Sequence, residues 1–233
     1  MPGVDDLLDP RHDLLDLEGG RVDLDRVLGR AHVDRVPLVA PLRNYGVERV
    51  PASGGVVLAF NHFHWIDPPV FGLLSPRPMY FLAKVEAHRV PGLGQLIRSF
   101  GTISVRRGES DREAVRRMRE VVREGHALGL FAEGTRQLAG VPGPVQPGAA
   151  MAALQEDVPV VPAAIHGSFD WKVGNWHPIA VAWGEPLRFD GLPKGAKGYR
   201  EASLEIERRI HALHDWLAEI AVLGRPRQAT PPR

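Results

Sequence analysis

The chain contains no cysteine, which excludes a disulfide framework, a thiolate nucleophile and cysteine-ligated zinc. It also has almost no net charge. Its 29 basic and 28 acidic residues leave +1 at pH 7, so no global field directs it to nucleic acid or to a charged surface. Long apolar runs are missing: none approaches the ~18–20 residues that a membrane-spanning helix needs. The first 30 residues hold eight acids and four Arg, without the apolar stretch of a secretory leader. A cytoplasmic location is expected, and any contact with a membrane would be peripheral. Lysine is scarce, at positions 84, 172, 194 and 197 only, so a single Arg says little here and a single Lys slightly more.

At 233 residues the chain is long enough for one α/β domain with a real core. Residues 31–54 carry Pro37, Pro41, Pro51 and Gly54 and read as irregular or hairpin-like. From there strand and helix patterns alternate. Strands are expected at Val56–Phe60, Tyr80–Ala83, Thr102–Val105, Ala127–Phe131, Val158–Ile165 and Ile179–Trp183. Helices are expected at Pro68–Leu74, Ser110–Arg123, Gly148–Gln155 and Tyr199–Ile220, the second with a Ser110/Glu113 capping box. Val85–Phe100 has helical spacing broken by Pro91. Such alternation argues a largely parallel central sheet covered by helices in a single α/β domain. The expected organisation is an N-terminal extension over 1–44, the domain over 45–223 and a Pro-rich, disordered tail over 224–233.

The stretch Asn61-His62-Phe63-His64-Trp65-Ile66-Asp67-Pro68-Pro69 follows the first of these strands, at the carboxyl end where α/β sheets place chemistry. His62 and Asp67 would lie about 140° apart on a continuous helix, but a strand-to-helix turn brings them together. Asp is a favoured N-cap and Pro a favoured first helical residue, so one carboxylate oxygen can cap the helix while the other takes an imidazole N–H. Such a pair fixes the tautomer of His62 and raises its basicity, as a general base requires. The same residues admit two other readings: a helix cap beside a polar loop histidine, or a metal site built from His62, His64 and Asp67.

Four blocks in order resemble the glycerolipid acyltransferase family that includes 1-acylglycerol-3-phosphate acyltransferase. They are Asn61-His62-x4-Asp67; Gly101-Thr102-Ile103-Ser104-Val105-Arg106-Arg107, similar to G-x-I-x-V-x-R; Phe131-Ala132-Glu133-Gly134-Thr135-Arg136, similar to F-P-E-G-T-R; and Val158-Pro159-Val160-Val161-Pro162-Ala163-Ala164-Ile165, similar to V-P-I-V-P-V-A-I. The resemblance covers roughly residues 45–190 and implies the fold of that family. It implies that His62 deprotonates an acceptor hydroxyl as it attacks an acyl thioester, with Asp67 orienting the ring. It also implies that Lys84, Arg107, Glu133, Gly134, Thr135 and Arg136 bind the phosphate-bearing acceptor. The implied partners are a lysophospholipid, acyl-CoA or acyl carrier protein as co-substrate, and the inner face of a membrane, with no cofactor, metal or nucleic acid.

The chain departs from the family pattern in places. Ala132 stands where the family has Pro, which is expected to loosen the turn, and Arg106 replaces an acid. Val145-Gln146-Pro147-Gly148 lacks the Lys of F-K-x-G. These departures bear on the acceptor's head group, and those at Ala132 and Gln146 motivate one alternative, a catalytically silent lipid-binding relative. The other, a metal-dependent hydrolase, comes from the spacing of His62, His64 and Asp67. From Lys84 to Arg119 nine basic residues stand against four acidic. That makes Val85–Phe100 a candidate membrane-facing stripe, with Trp171 and Trp176 as candidate interfacial anchors.

Overall fold

A seven-stranded sheet in the order β1-β7-β6-β2-β5-β3-β4 organises the protein. The structure, a computed structural model, describes residues 40–84, 102–105 and 111–233. The strands are β1 Leu42–Tyr45, β2 Val56–Phe60, β3 Met79–Lys84, β4 Thr102–Val105, β5 Ala127–Phe131, β6 Val160–His166 and β7 Ile179–Trp183. Every neighbouring pair is parallel except β6 with β7. Four α-helices are described: α1 Asp67–Leu74, α2 Asp111–Arg123, α3 Gly148–Glu156 and α4 Ala196–Val222. The expected strands and helices thus recur within one to three residues at their ends. The stripe Val85–Phe100, Ser110 of the capping box and residues 1–39 of the extension lie outside the described residues.

Strand β2 explains the layering. All five of its residues are buried, and their alternation sends successive side chains to opposite faces. Val56, Leu58 and Phe60 join Val70, Phe71 and Leu74 of α1, with Val161, Ile165, Val181 and Trp183, in one core. Val57 and Ala59 join Met118 and Val122 of α2, the alanines of α3, and Ala202, Ile206 and Ile210 of α4 in the other. An all-apolar strand is what a parallel sheet with helices on both faces demands. Phe60 anchors the first core, stacked on Phe71 with centroids 3.9 Å apart and set edge-on to Trp183 and Phe131.

Two expectations fail here. Residues 42–45, read as irregular or hairpin-like, form edge strand β1 in parallel register with β7, Leu42 opposite Ile179 and Tyr45 opposite Ala182. The domain therefore includes residues before 45. The polar face of β1 hid it, because Asn44 is satisfied only by distant groups. It accepts the indole N–H of Trp183 at 2.7 Å and donates to the Leu74 carbonyl at 2.8 Å.

The Pro-rich tail, for which composition argues disorder, is tied down instead. Arg49, with its side chain 8% exposed, donates to the carbonyls of Trp183, Pro231 and Pro232 and pairs with Glu185. The Tyr45 hydroxyl donates to the Pro226 carbonyl at 2.7 Å. Composition reads only a segment's own capacity to bury itself, and here another element supplies the partners.

Replacing Arg49 by Ala strips these tail carbonyls of charged donors and should cost about 2 kcal/mol. Limited trypsinolysis should then cut after Arg227 markedly faster than in the parent. Equal cutting rates would show that the guanidinium does not hold the tail.

Candidate active site

The connection from β2 runs through α1 on one face of the sheet, while that from β5 runs through α3 on the other. These two strands are neighbours, with Phe60 opposite Phe131. Connections that leave adjacent parallel strands toward opposite faces open a crevice at the carboxyl ends. His62 stands two residues past β2 and Glu133 two past β5, both at that crevice.

The turn from β2 to α1 closes around one oxygen atom. Asp67 is fully buried. Its Oδ2 accepts the backbone N–H of Phe63 and of His64, each at 2.7 Å, and lies 2.8 Å from Nδ1 of His62. An oxygen that already accepts two N–H groups faces Nδ1 as an acceptor. The ring therefore carries its proton on Nδ1 and keeps a lone pair on Nε2. The expected division of labour between the carboxylate oxygens is not what forms. Asp67 is the first residue of α1, Ile66 holds the cap position, and no side-chain cap bond is made. Pro68 and Pro69 follow at the start of the helix, where a missing N–H costs nothing.

Glu133 holds the same loop from the other strand. It is 4% exposed. Its Oε2 accepts the backbone N–H of His62 and its Oε1 that of Gly143, both at 2.8 Å. The Gln137 N–H returns to the His62 carbonyl at 2.7 Å. The His62 ring lies on Phe131, centroids 4.0 Å apart and planes 26° from parallel. Glu133, read from the sequence as a substrate-binding residue, thus spends both oxygens on backbone donors and positions His62. Burial pushes its carboxyl up to about 7; the N–H donors of Gly143 and His62 pull it down, and the Asp67 charge pushes it up again.

Gly134 supplies the positive φ, 71°, that closes the turn after β5. Thr135 and Arg136 are exposed on that turn. His64 is pushed below the ordinary imidazole range, chiefly by burial; the Asp67 carboxylate pulls it up, and the positive charge of Arg136 pushes it down again. Arg136 therefore lies within electrostatic reach of the loop. Lys84 ends β3, whose Phe81 is level with Gly129 of β5, so its backbone sits at the same carboxyl edge. Arg107 lies outside the described residues.

Ala132 does not loosen the turn. Its N–H donates to the Phe60 carbonyl at 2.8 Å and its carbonyl accepts the Gln146 N–H at 2.7 Å. Proline, which has no N–H, would forfeit the first of these bonds. Asn61, quoted in the motif without a role, is buried and bonds both backbone groups of Ile165, at 3.1 and 2.8 Å. It continues the β2–β6 pairing beyond the strand end. The signal for it was in the sequence: an amide directly after an all-apolar strand must find two backbone partners. Among the described residues no three His, Asp or Glu side chains cluster as a metal-holding set.

Residues 42–166 match the family described as Acyltransferase. The chain is 29% identical over 145 residues to the 1-acyl-sn-glycerol-3-phosphate acyltransferase of Bacillus subtilis, an alignment covering 61% of this chain and 72% of that one. It is 38% identical over 76 residues to the lyso-ornithine lipid O-acyltransferase of Pseudomonas aeruginosa, covering 32% of this chain and 29% of that one. The crystal structure of the 1-acyl-sn-glycerophosphate acyltransferase PlsC from Thermotoga maritima superposes with a TM-score of 0.59 at 25% identity, over 73% of this chain and 70% of that one.

The raised pKa of Glu133 makes a prediction about stability. The folded protein retains a proton there that the unfolded chain releases between about pH 4.5 and about 7. This contribution is fully present below pH 4.5 and is lost as pH rises through 7. Between pH 5 and pH 8 the parent should lose up to about 3 kcal/mol more unfolding free energy than Glu133→Gln, measured by urea titration. His214, pushed down to about 4 chiefly by burial, acts in the opposite sense. Its stabilisation is present above pH 6.5 and fades as pH falls through 4, equally in both proteins. Parallel pH profiles for parent and variant would refute the assignment.

Proposed function

The chain belongs to the acyltransferase family, and from that membership and the geometry at His62 we propose that it moves a fatty acyl group from a thioester onto a hydroxyl of a lysophospholipid. The proposed acceptor is 1-acylglycerol-3-phosphate, the acceptor named for the Bacillus relative, and the proposed donor is acyl-CoA or acyl carrier protein. The observation that carries this reading is the contact between His62 Nδ1 and a buried carboxylate oxygen at 2.8 Å.

With Nδ1–H committed to Asp67, Nε2 is the nitrogen that takes the acceptor's hydroxyl proton. The alkoxide oxygen attacks the thioester carbonyl carbon, the C–S bond breaks, and the departing sulfur takes the proton back from the imidazolium. Asp67 orients the ring and stabilises its cationic form. No acyl-enzyme intermediate is needed. Arg136 presents a planar fork suited to a phosphate on the acceptor, with Lys84 and Arg107 proposed to join it. In this reading the protein works peripherally at a membrane. No helix among the described residues is long and apolar enough to cross one.

A second acceptor class has an observation of its own. The lyso-ornithine lipid O-acyltransferase relative is named for an acceptor other than 1-acylglycerol-3-phosphate, and in this chain Gln146 stands where the family pattern has Lys, its Cγ 3.5 Å from where a Cβ on Gly134 would stand.

Purified protein should release thiol from an acyl-CoA or acyl carrier protein when given lysophosphatidate. His62→Ala should lower kcat by about 10²–10⁴ while the circular dichroism spectrum is kept. No thiol release with any donor and lysolipid pair would sink the reading. Arg136→Ala should raise KM for lysophosphatidate about tenfold with a smaller change in kcat. An unchanged KM for lysophosphatidate would remove Arg136 from phosphate recognition and favour the second acceptor class.

A further inference from the structure

Six of the nine exposed large apolar side chains among the described residues belong to three loops: Trp65, Leu138, Val141, Phe169, Val173 and Trp176. These loops follow β2, β5 and β6, the strands whose carboxyl ends carry His62, Glu133 and His166. A solitary exposed apolar residue is ordinary, whereas a contiguous set beside a site is a contact surface.

The loops are joined. Trp65 meets Trp171 edge-on at 5.7 Å, and His64 meets the same indole at 5.5 Å. Phe63 meets Phe169 at 6.2 Å, and a Cβ on Gly140 would lie 3.1 Å from the Phe169 ring. Trp171, a candidate anchor from the sequence, is buried and holds the loops together. Trp176 is 54% exposed and Val173 85%. The segment presenting them is built rather than slack. Asn175 accepts the His177 N–H and donates to the Asp170 carbonyl, and Trp176 is held at φ 51°, a conformation uncommon for a bulky residue.

We propose that this rim is the face through which the protein docks on an anionic phospholipid bilayer, with Trp65, Phe169, Val173 and Trp176 entering the headgroup layer. Aromatic rings with a polar edge settle at that depth. The exposed cations of the rim, Arg136 and Lys172, outnumber its one exposed acid, Asp170, and match lipid phosphates. The occupant is chosen because the rim adjoins the His62 loop: Phe63 and His64, next to His62 in the chain, pack on Phe169 and Trp171. The inference rests on the proposed acyl transfer in that respect: both substrates of that reaction carry acyl chains, and docking here lets them reach Nε2 without crossing water.

The test is flotation with vesicles of phosphatidylcholine and phosphatidylglycerol. Val173→Asp combined with Trp176→Asn, which leaves a residue tolerant of positive φ, should bind at least about tenfold more weakly than the parent. Leu204→Asp combined with Leu223→Asp, exposed apolar sites on and just after α4, should bind like the parent. Brominated lipid should quench the parent's tryptophan fluorescence more than that of the loop variant.

Failure of the parent to bind, or equal binding by the loop variant, overturns the inference. So does self-association of the parent, without vesicle binding, that the loop variant abolishes, because the face would then join two copies of the chain. Thiol release with short-chain, monomeric substrates reports the chemistry separately. Its absence with docking intact would defeat the proposed reaction and leave the surface standing, while its presence without docking would do the reverse.

Discussion

One carboxylate oxygen organises the turn at the carboxyl end of β2. Oδ2 of Asp67 receives the imidazole and two consecutive backbone N–H groups, all within 2.8 Å. Hydrogen bonds to a charged acceptor are individually worth about 1.5–3 kcal/mol. Three on one atom, shielded from solvent, leave the His62–Asp67 loop with one conformation. The same contact sets the histidine's tautomer. The loop's shape and the ring's chemistry are therefore one constraint, and a loop that opened would lose both.

The surrounding structure serves that atom. Glu133 fixes the His62 N–H, Gln137 fixes the His62 carbonyl, Phe131 supports the ring face, and Asn61 locks the start of the loop onto β6. These groups come from two neighbouring strands whose connections diverge to opposite faces of the sheet, so the crevice is a consequence of topology. Glu133 pays for its place in desolvation, which is why its carboxyl sits near 7 rather than in the ordinary carboxylate range. The two N–H donors it accepts are what make so buried an acid tolerable.

The departures from the family pattern also acquire a physical meaning. Alanine at 132 contributes a ladder hydrogen bond to Phe60 that proline could not, so the turn after β5 is tied more closely to β2. Gln146 keeps its backbone bond to Ala132 while removing a positive charge from the neighbourhood of Gly134. The hydrogen-bonded scaffold around His62 and Asp67 is thus intact, while the charge beside Gly134 differs from the family pattern.

The sequence by itself determined the local elements and the pairing of His62 with Asp67. The unbroken apolar run of β2 and the helical spacing of Ile206, Ile210, Leu213 and Leu217 are written in residue order. The bend between His62 and Asp67 is a short-range event driven by an acid followed by two prolines. Tertiary structure alone decided what depends on partners far along the chain. Strand β1 exists because β7 pairs with it 137 residues later, Leu42 opposite Ile179, and because Trp183 and Leu74 satisfy Asn44. The tail is ordered because Arg49 reaches it. Glu133 became a backbone clamp, and Trp171 was buried while Trp176 was left outside, for the same reason: hydrogen-bond satisfaction and burial are properties of spatial neighbours, and a one-dimensional pattern names those neighbours only when they are close in sequence.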